Sequence, residues 1–211
     1  YADFVLTGET ETKLKKLVYE IENNKDFSSV SGITYKAGDK IITTPNVNDT
    51  NLEDVPEIDW DLIDVRKCFR KFPHCKNMLY MYTSRGCPFK CTFCYNTMFY
   101  NSCHRKRPIR HVLNEIKYLE ENYELDGANF SDEFLLLTDE EIEEITTFRN
   151  ENNLKFFWGA ETRADAYKDI EKLRRMYDSG CRWLMLGLET GSEETRKKIQ
   201  KPMNKDIIRN F

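Results

Sequence analysis

The chain has 211 residues, of which 40% are hydrophobic and 32% charged, with a net charge of −4. This is the balance of an ordinary soluble protein long enough to bury a sizeable core, and no apolar run approaches the roughly 20 residues a bilayer-spanning helix needs. Seven cysteines, three of them clustered, point to metal chemistry in a reducing, cytoplasmic setting rather than to a disulfide framework.

Taken in order, Phe4-Val5-Leu6 reads as a short strand, and Leu14, Leu17, Val18 and Ile21 repeat at helical spacing after a cap at Thr10 or Thr12. Gly32 to Lys36 and Lys40 to Thr43 flank Ala37-Gly38-Asp39 as a hairpin. Pro45, Pro56 and Pro73 punctuate the next stretch, so residues 44–77 read as a surface linker. The apolar run from Met78 to Ser84 is a buried strand ending at Gly86, and the loop after it is Cys87-Pro88-Phe89-Lys90-Cys91-Thr92-Phe93-Cys94-Tyr95.

From there strand and helix alternate. Pro108 suits a first helical turn, with Ile109, Val112, Leu113, Ile116 and Leu119 as the buried stripe. Gly127 to Ser131 is the second strand, ending at Asp132-Glu133. Thr138 to Glu141 reads as a capping box opening a helix with Ile142, Ile145 and Phe148 on one face. Leu154 to Gly159 is the third strand, followed by a helix marked by Ile170, Leu173, Met176 and Tyr177. Arg182 to Leu188 is the fourth strand, and a last helix runs from Ser192 toward Ile199. Repeated strand–helix units imply a parallel sheet covered by helices, with ligands at the carboxyl ends of the strands.

Charge is unevenly distributed. Between Arg66 and Pro108 there are ten Lys or Arg and no Asp or Glu, whereas Asn114 to Glu151 holds thirteen acidic residues against Lys117 and Arg149. Solvated helix faces account for the acidic stretch. The basic stretch surrounds the cysteine loop, where positive charge offsets thiolates, and no nucleic-acid-binding signature accompanies it.

Three thiolates this close can grip a 4Fe–4S cluster and leave one iron without a protein ligand. The spacing Cys, three residues, Cys, two residues, Cys, with the aromatic Phe93 before the third cysteine, resembles the radical S-adenosylmethionine (SAM) superfamily. That resemblance implies Cys87, Cys91 and Cys94 as cluster ligands and the open iron as the site that chelates SAM. It further implies reductive cleavage of SAM to a 5′-deoxyadenosyl radical, and an electron donor such as flavodoxin or ferredoxin. It places SAM contacts at the strand ends: Ser131, Asp132 and Glu133 for the amino group, then Glu161-Thr162-Arg163 and Glu189-Thr190-Gly191-Ser192 for ribose and carboxylate. Phe93 and Tyr95 would line the adenine. None of these reproduces the Gly-Gly-Glu pattern common elsewhere in the superfamily. The substrate, a small molecule or peptide, is not legible.

The superfamily fold is a partial barrel of six units, and four are counted here. At roughly 30 residues per unit, the expectation is an α/β partial barrel over residues 78–211, truncated and preceded by a small α/β segment. Val5-Leu6-Thr7-Gly8-Glu9, the Gly32 hairpin, and Leu52 to Pro56 followed by Trp60-Asp61-Leu62-Ile63 resemble the join between a cobalamin-binding domain and a radical SAM barrel. On that resemblance residues 1–43 are the tail of a cobalamin-binding-like domain. Its Asp-any-His-any-any-Gly signature is absent, so cobalamin would be held through upstream sequence. Methyl transfer is then the first expected reaction, with oxidative cyclisation or another rearrangement behind it. The alternative is a non-catalytic iron–sulfur or zinc protein in which Cys103 or His104 closes the site. On the leading reading Cys68, Cys75, Cys103 and Cys181 are structural or incidental thiols, and His74, His104 and His111 show no metal-ligand spacing among themselves.

Overall fold

A computed structural model describes residues 2–47, 50–167 and 169–203. The chain divides into two compact units, Tyr1–Val55 and Pro56–Phe211.

In the first unit, strand β1 (Phe4–Leu6) and helix α1 (Glu11–Glu22) are followed by the hairpin β2 (Ile33–Ala37) and β3 (Lys40–Thr43). The sheet order is β1-β2-β3, antiparallel throughout. Its small core is Leu17, Val30 and Ile33, with Phe4, Phe27 and Tyr35 packed around it. Of the expected α1 stripe only Leu17 is buried; Leu14, Val18 and Ile21 are exposed, because the helix turns the face carrying Lys13, Leu17 and Glu20 inward instead.

The second unit contains helix α2 (Val65–Cys68), strands β4 (Arg70–Phe72), β5 (Cys75–Met81) and β6 (Ser84–Arg85), helix α3 (Asn96–Phe99) and strand β7 (Arg105–Lys106). Then come helix α4 (Ile109–Tyr123), strand β8 (Gly127–Phe130), helix α5 (Asp139–Glu151), strand β9 (Phe157–Thr162), helix α6 (Ile170–Asp178), strand β10 (Cys181–Leu186) and helix α7 (Glu193–Lys198). The main sheet has the order β10-β9-β8-β5-β4, with β5, β8, β9 and β10 parallel and β4 antiparallel at the edge. Four strand–helix units therefore stand side by side, as the alternating pattern predicts. The fold is an α/β partial barrel.

One face of the sheet supplies Leu79, Met81, Ala128, Phe130, Trp158 and Ala160 to a core shared with the expected stripes of α4 and α5. Thr138 accepts from the Glu141 N–H while Glu141 reaches back to the Thr138 N–H, so the capping box forms as read. The α6 stripe is only partly covered: Met176 is buried, but Ile170 and Tyr177 are exposed.

Among the boundaries that differ from the sequence expectation, two have a visible physical cause. Residues 44–77 are not one linker, because residues from Pro56 onward pack into the larger unit. The Trp60 indole N–H donates to Glu115 Oε1 at 2.9 Å, and Val65 enters the main core, so apolar burial overrides the proline punctuation. The third strand starts at Phe157 rather than Leu154. The Glu120 carboxylate accepts from the N–H groups of Lys155 and Phe156 at 2.8 and 3.2 Å, which satisfies those donors before the ladder begins.

The other face of the sheet carries Tyr80, Asn129, Gly159 and Trp183 in one register row. The Trp183 indole N–H donates to Asn129 Oδ1 at 2.7 Å, and its rings pack on Phe72 with centroids 4.7 Å apart. A Cβ on Gly159 would lie 2.2 Å from the indole, so glycine is what lets the ring lie flat on the sheet.

Asp132, just past β8, is buried. Its carboxylate accepts from the Thr83 N–H at 2.8 Å, from the Thr83 hydroxyl, and from the Ser84 hydroxyl at 2.8 Å. The end of β5 is thereby fastened to the end of β8. Burial raises the Asp132 carboxyl above its ordinary range, although these hydrogen bonds oppose the shift.

Gly159→Ala should displace Trp183 and destabilise the fold by about 1–3 kcal/mol through overpacking; an unchanged denaturant midpoint would show that the indole has room to move. Asp132→Ala should cost about 1–3 kcal/mol by leaving buried hydroxyl and N–H donors unpaired. Because the native state holds the Asp132 proton more tightly than the unfolded chain does, this group's contribution to stability falls as pH rises from the ordinary carboxylate range through its raised value. Asp132→Asn should flatten that part of the stability–pH curve, and an unaltered slope would count against the assignment.

Candidate cluster and cofactor site

The pairing of β6 with β7 closes a loop that runs from Gly86 to His104 and contains all three clustered cysteines. Gly86 opens it with φ +82°, and a Cβ there would lie 1.9 Å from the Cys103 carbonyl oxygen. No side chain fits such a gap, so the loop neck requires glycine. Inside the loop the Asn96 side-chain amide donates to the Cys87 carbonyl at 2.7 Å, and the Cys94 N–H donates to the Cys91 carbonyl at 3.1 Å. The Thr92 N–H donates to the Ile199 carbonyl at 3.1 Å, which ties the loop to the segment after α7.

Glu133 holds the two flanks of the cysteine run together. Its Oε2 accepts from the Gly86 N–H at 2.9 Å, and its Oε1 accepts from the Tyr95 hydroxyl at 2.6 Å. One residue therefore fixes the position before Cys87 and the position after Cys94. Burial first, and then the Glu133 hydrogen bond, push the Tyr95 phenol above its ordinary value, so it stays a donor.

A cavity of about 480 Å³ lies at the carboxyl ends of the strands. Cys87, Cys91, Cys94 and Phe93 line it from the loop, and Glu161, Thr162, Arg163, Met185 and Glu189 line it from β9, β10 and the turns after them. Burial raises the Cys87 thiol, the neighbouring cysteines add to the rise, and the Phe89 N–H and Arg163 oppose it. Among the described residues no three His, Cys, Asp or Glu converge as a ready-made site for one ion. Three sulfurs spread around one cavity suit a cluster whose thiolates bind separate irons, and the soft donor set matches that chemistry.

The structure sorts the expected cofactor contacts. Phe93, Arg163 and Glu189 line the cavity; Tyr95, Ser131 and Asp132 are not among its lining residues. Tyr95 and Asp132 are engaged as described, and the Ser131 hydroxyl accepts from the Asn129 amide at 3.1 Å. Arg163 reaches the cavity, yet its Nε and Nη2 donate to the two oxygens of Asp165 at 2.8 and 2.7 Å. Asp165 thus claims one edge of the guanidinium, and Nη1 is left without a hydrogen-bond partner among the described residues. Ser192 caps α7, accepting from the Thr195 N–H at 3.2 Å.

Two cavity residues have roles that the sequence pattern does not reveal. Glu133 stands beside Asp132 at the strand end but acts on the loop. Lys201, 7% exposed, donates to Glu189 Oε1 at 2.7 Å, and its ammonium sits 6.0 Å from the centre of the Phe93 ring. In sequence it follows Lys197 and Lys198 and looks like one more solvated lysine. Glu189 takes a left-handed φ of +60°, a conformation non-glycine residues rarely adopt outside constrained sites.

The remaining cysteines separate from the site. Burial pushes Cys75 up to about 11 and Cys181 up to about 12, values of unreactive thiols. Cys68 and Cys103 are exposed, and Cys103 does not line the cavity. His104 Nε2 lies 3.1 Å from the Ser84 hydroxyl, beside the Asp132 network. No helix among the described residues is long and apolar enough to cross a membrane.

Comparison with known proteins gives the family and the fold. The family model of the radical SAM superfamily matches residues 81–211. The anaerobic magnesium-protoporphyrin IX monomethyl ester cyclase of Synechocystis sp. is 28% identical over 203 residues, which is 94% of this chain and 40% of the relative. Among solved structures, the cobalamin-dependent SAM radical enzyme OxsB, with aqua-cobalamin and SAM bound, superposes with a TM-score of 0.73 at 19% identity, covering 97% of this chain and 30% of that one. The radical SAM methyltransferase TsrM of Kitasatospora setae superposes with a TM-score of 0.72 at 14% identity, covering 98% and 42%. This chain thus spans under half the length of the proteins it matches, and it belongs to the radical SAM superfamily.

Proposed function

We propose that the protein of which these residues are part binds a 4Fe–4S cluster through Cys87, Cys91 and Cys94 and cleaves SAM reductively. The observation that carries this reading is the shared cavity, where the three cysteines face a buried lysine paired with Glu189 and an aromatic ring. When bound, the cluster supplies the electron for SAM cleavage to methionine and a 5′-deoxyadenosyl radical. The protein's part is to hold and orient. Glu133 and Asn96 shape the loop that presents the thiols, and Phe93 offers a flat apolar surface for an adenine. Lys201 brings positive charge for the SAM carboxylate, and Glu189 can accept from ribose hydroxyls.

Methyl transfer assisted by cobalamin is the reaction we place first, supported by the fold shared with OxsB and TsrM. Oxidative cyclisation stands second, supported by the cyclase relative. An external low-potential donor such as a flavodoxin or ferredoxin, and a cytoplasmic location, complete this reading. A closed zinc or electron-transfer site would need a fourth ligand such as Cys103.

After anaerobic reconstitution the protein should contain iron and acid-labile sulfide and release methionine and 5′-deoxyadenosine from SAM. Replacing any one of Cys87, Cys91 or Cys94 with Ala should remove both. Zinc without sulfide, or single-cysteine variants with wild-type cluster content and turnover, would reject the assignment. Lys201→Ala and Glu189→Ala should keep the cluster and weaken SAM binding roughly 10- to 100-fold, the loss expected for one charge-assisted contact of about 1.5–3 kcal/mol. Unchanged SAM affinity in both would return the pair to a structural role.

A further inference from the structure

Arg163 is the cavity residue whose surroundings fit its expected role least. It is 6% exposed, and a guanidinium so deeply buried needs partners for all of its N–H groups. Nε and Nη2 have Asp165, and Nη2 also approaches the Pro202 carbonyl at 3.4 Å. Nη1 is buried without a hydrogen-bond partner among the described residues.

The orientation of the group is set from two sides. Asp165 grips one edge of the guanidinium, and its plane lies over the Phe89 ring at 3.8 Å from the centroid, close packing for a cation on an aromatic face. Phe89 lies between Cys87 and Cys91 in the loop, and its ring meets Phe134 edge-on at 5.2 Å. The cation is thus docked on the turn that joins two of the three cavity cysteines, with one donor unclaimed. Burial works against the charge on Arg163, but Asp165 and the thiols of Cys91 and Cys87 more than offset it.

Resting on the cluster reading above, we propose that Arg163 is a positioning residue for the cysteine-bound cluster rather than a clamp for the SAM carboxylate. Held by Asp165 and Phe89, it keeps positive charge and an unclaimed Nη1 donor beside the turn that carries Cys87 and Cys91. Hydrogen bonds to sulfur and local net charge are two of the factors that set the potential of an iron–sulfur cluster. Reduction adds one negative charge to the cluster, so a fixed nearby cation favours the reduced form. Asp165 sets the guanidinium plane and partly offsets its charge, so removing the arginine and neutralising the aspartate should move the potential in opposite directions.

The experiment is a redox titration of the reconstituted protein without SAM, followed by electron paramagnetic resonance, with SAM affinity measured separately. Arg163→Met should shift the one-electron equilibrium toward the oxidised cluster by at least tenfold, about 59 mV more negative. Asp165→Asn should shift it the other way, and Arg163→Lys should retain most of the wild-type potential. SAM affinity of Arg163→Met should stay within threefold of wild type. An unmoved potential in Arg163→Met with SAM binding weakened tenfold or more would overturn the proposal in favour of a carboxylate clamp. Shifts of the same sign in Arg163→Met and Asp165→Asn would reduce both residues to structural supports and overturn it too. If Arg163→Met holds no cluster, the decision passes to Asp165→Asn, where an unchanged or more negative potential is the overturning result. A wild-type protein that takes up no cluster is a distinct failure, because it removes the radical SAM reading and this inference together.

Discussion

The cysteine loop depends on two adjacent carboxylates at the end of β8. A loop carrying three metal-ligand candidates has little regular structure of its own, and loop backbones are mobile unless something fixes them. Asp132 fastens the strand end that leads into the loop, and Glu133 fastens the residues on either side of the cysteine run. Burying a carboxylate is unfavourable unless donors surround it. Asp132 has a backbone N–H and two hydroxyls, while Glu133 remains at the cavity edge with one N–H and one phenol. The two side chains share a strand end but face different burial, and so do different work.

The sheet beneath explains why the cavity stands where it does. Trp183, seated on Gly159 and hydrogen-bonded to Asn129, fills one layer of the sheet's open face. The next register row toward the carboxyl ends brings Glu161 beside Met185, and both line the cavity. Filling one layer with an aromatic floor leaves the strand ends as the place where polar side chains and the loop converge, the usual location of sites in parallel α/β sheets.

The electrostatics of the cavity differ from those of the chain as a whole. The net charge is −4, yet the cysteines face two deeply buried cations, Arg163 and Lys201, each joined to one carboxylate. Such pairing lets a cation persist away from water and holds it in one orientation. Positive charge fixed in this way lies beside the thiols of the loop.

The four strand–helix units, the α4 and α5 stripes, the capping box at Thr138 and the cysteine motif are all legible in the amino-acid order. Each of these is a local pattern: side-chain period, cap chemistry or short spacing, written within a few consecutive residues. Strand β4, the start of β9 and the partial exposure of α1 and α6 are not legible there. They depend on what a segment meets across the fold, such as Trp60 on Glu115 or Glu120 on the backbone of Lys155. Tertiary packing alone decides the roles of Asp132, Glu133, Arg163 and Lys201. A carboxylate or cation at a strand end has the same local signature whether it meets a cofactor, a loop backbone or another side chain, and only three-dimensional packing brings Tyr95 to Glu133, Phe89 to Arg163 and Glu189 to Lys201.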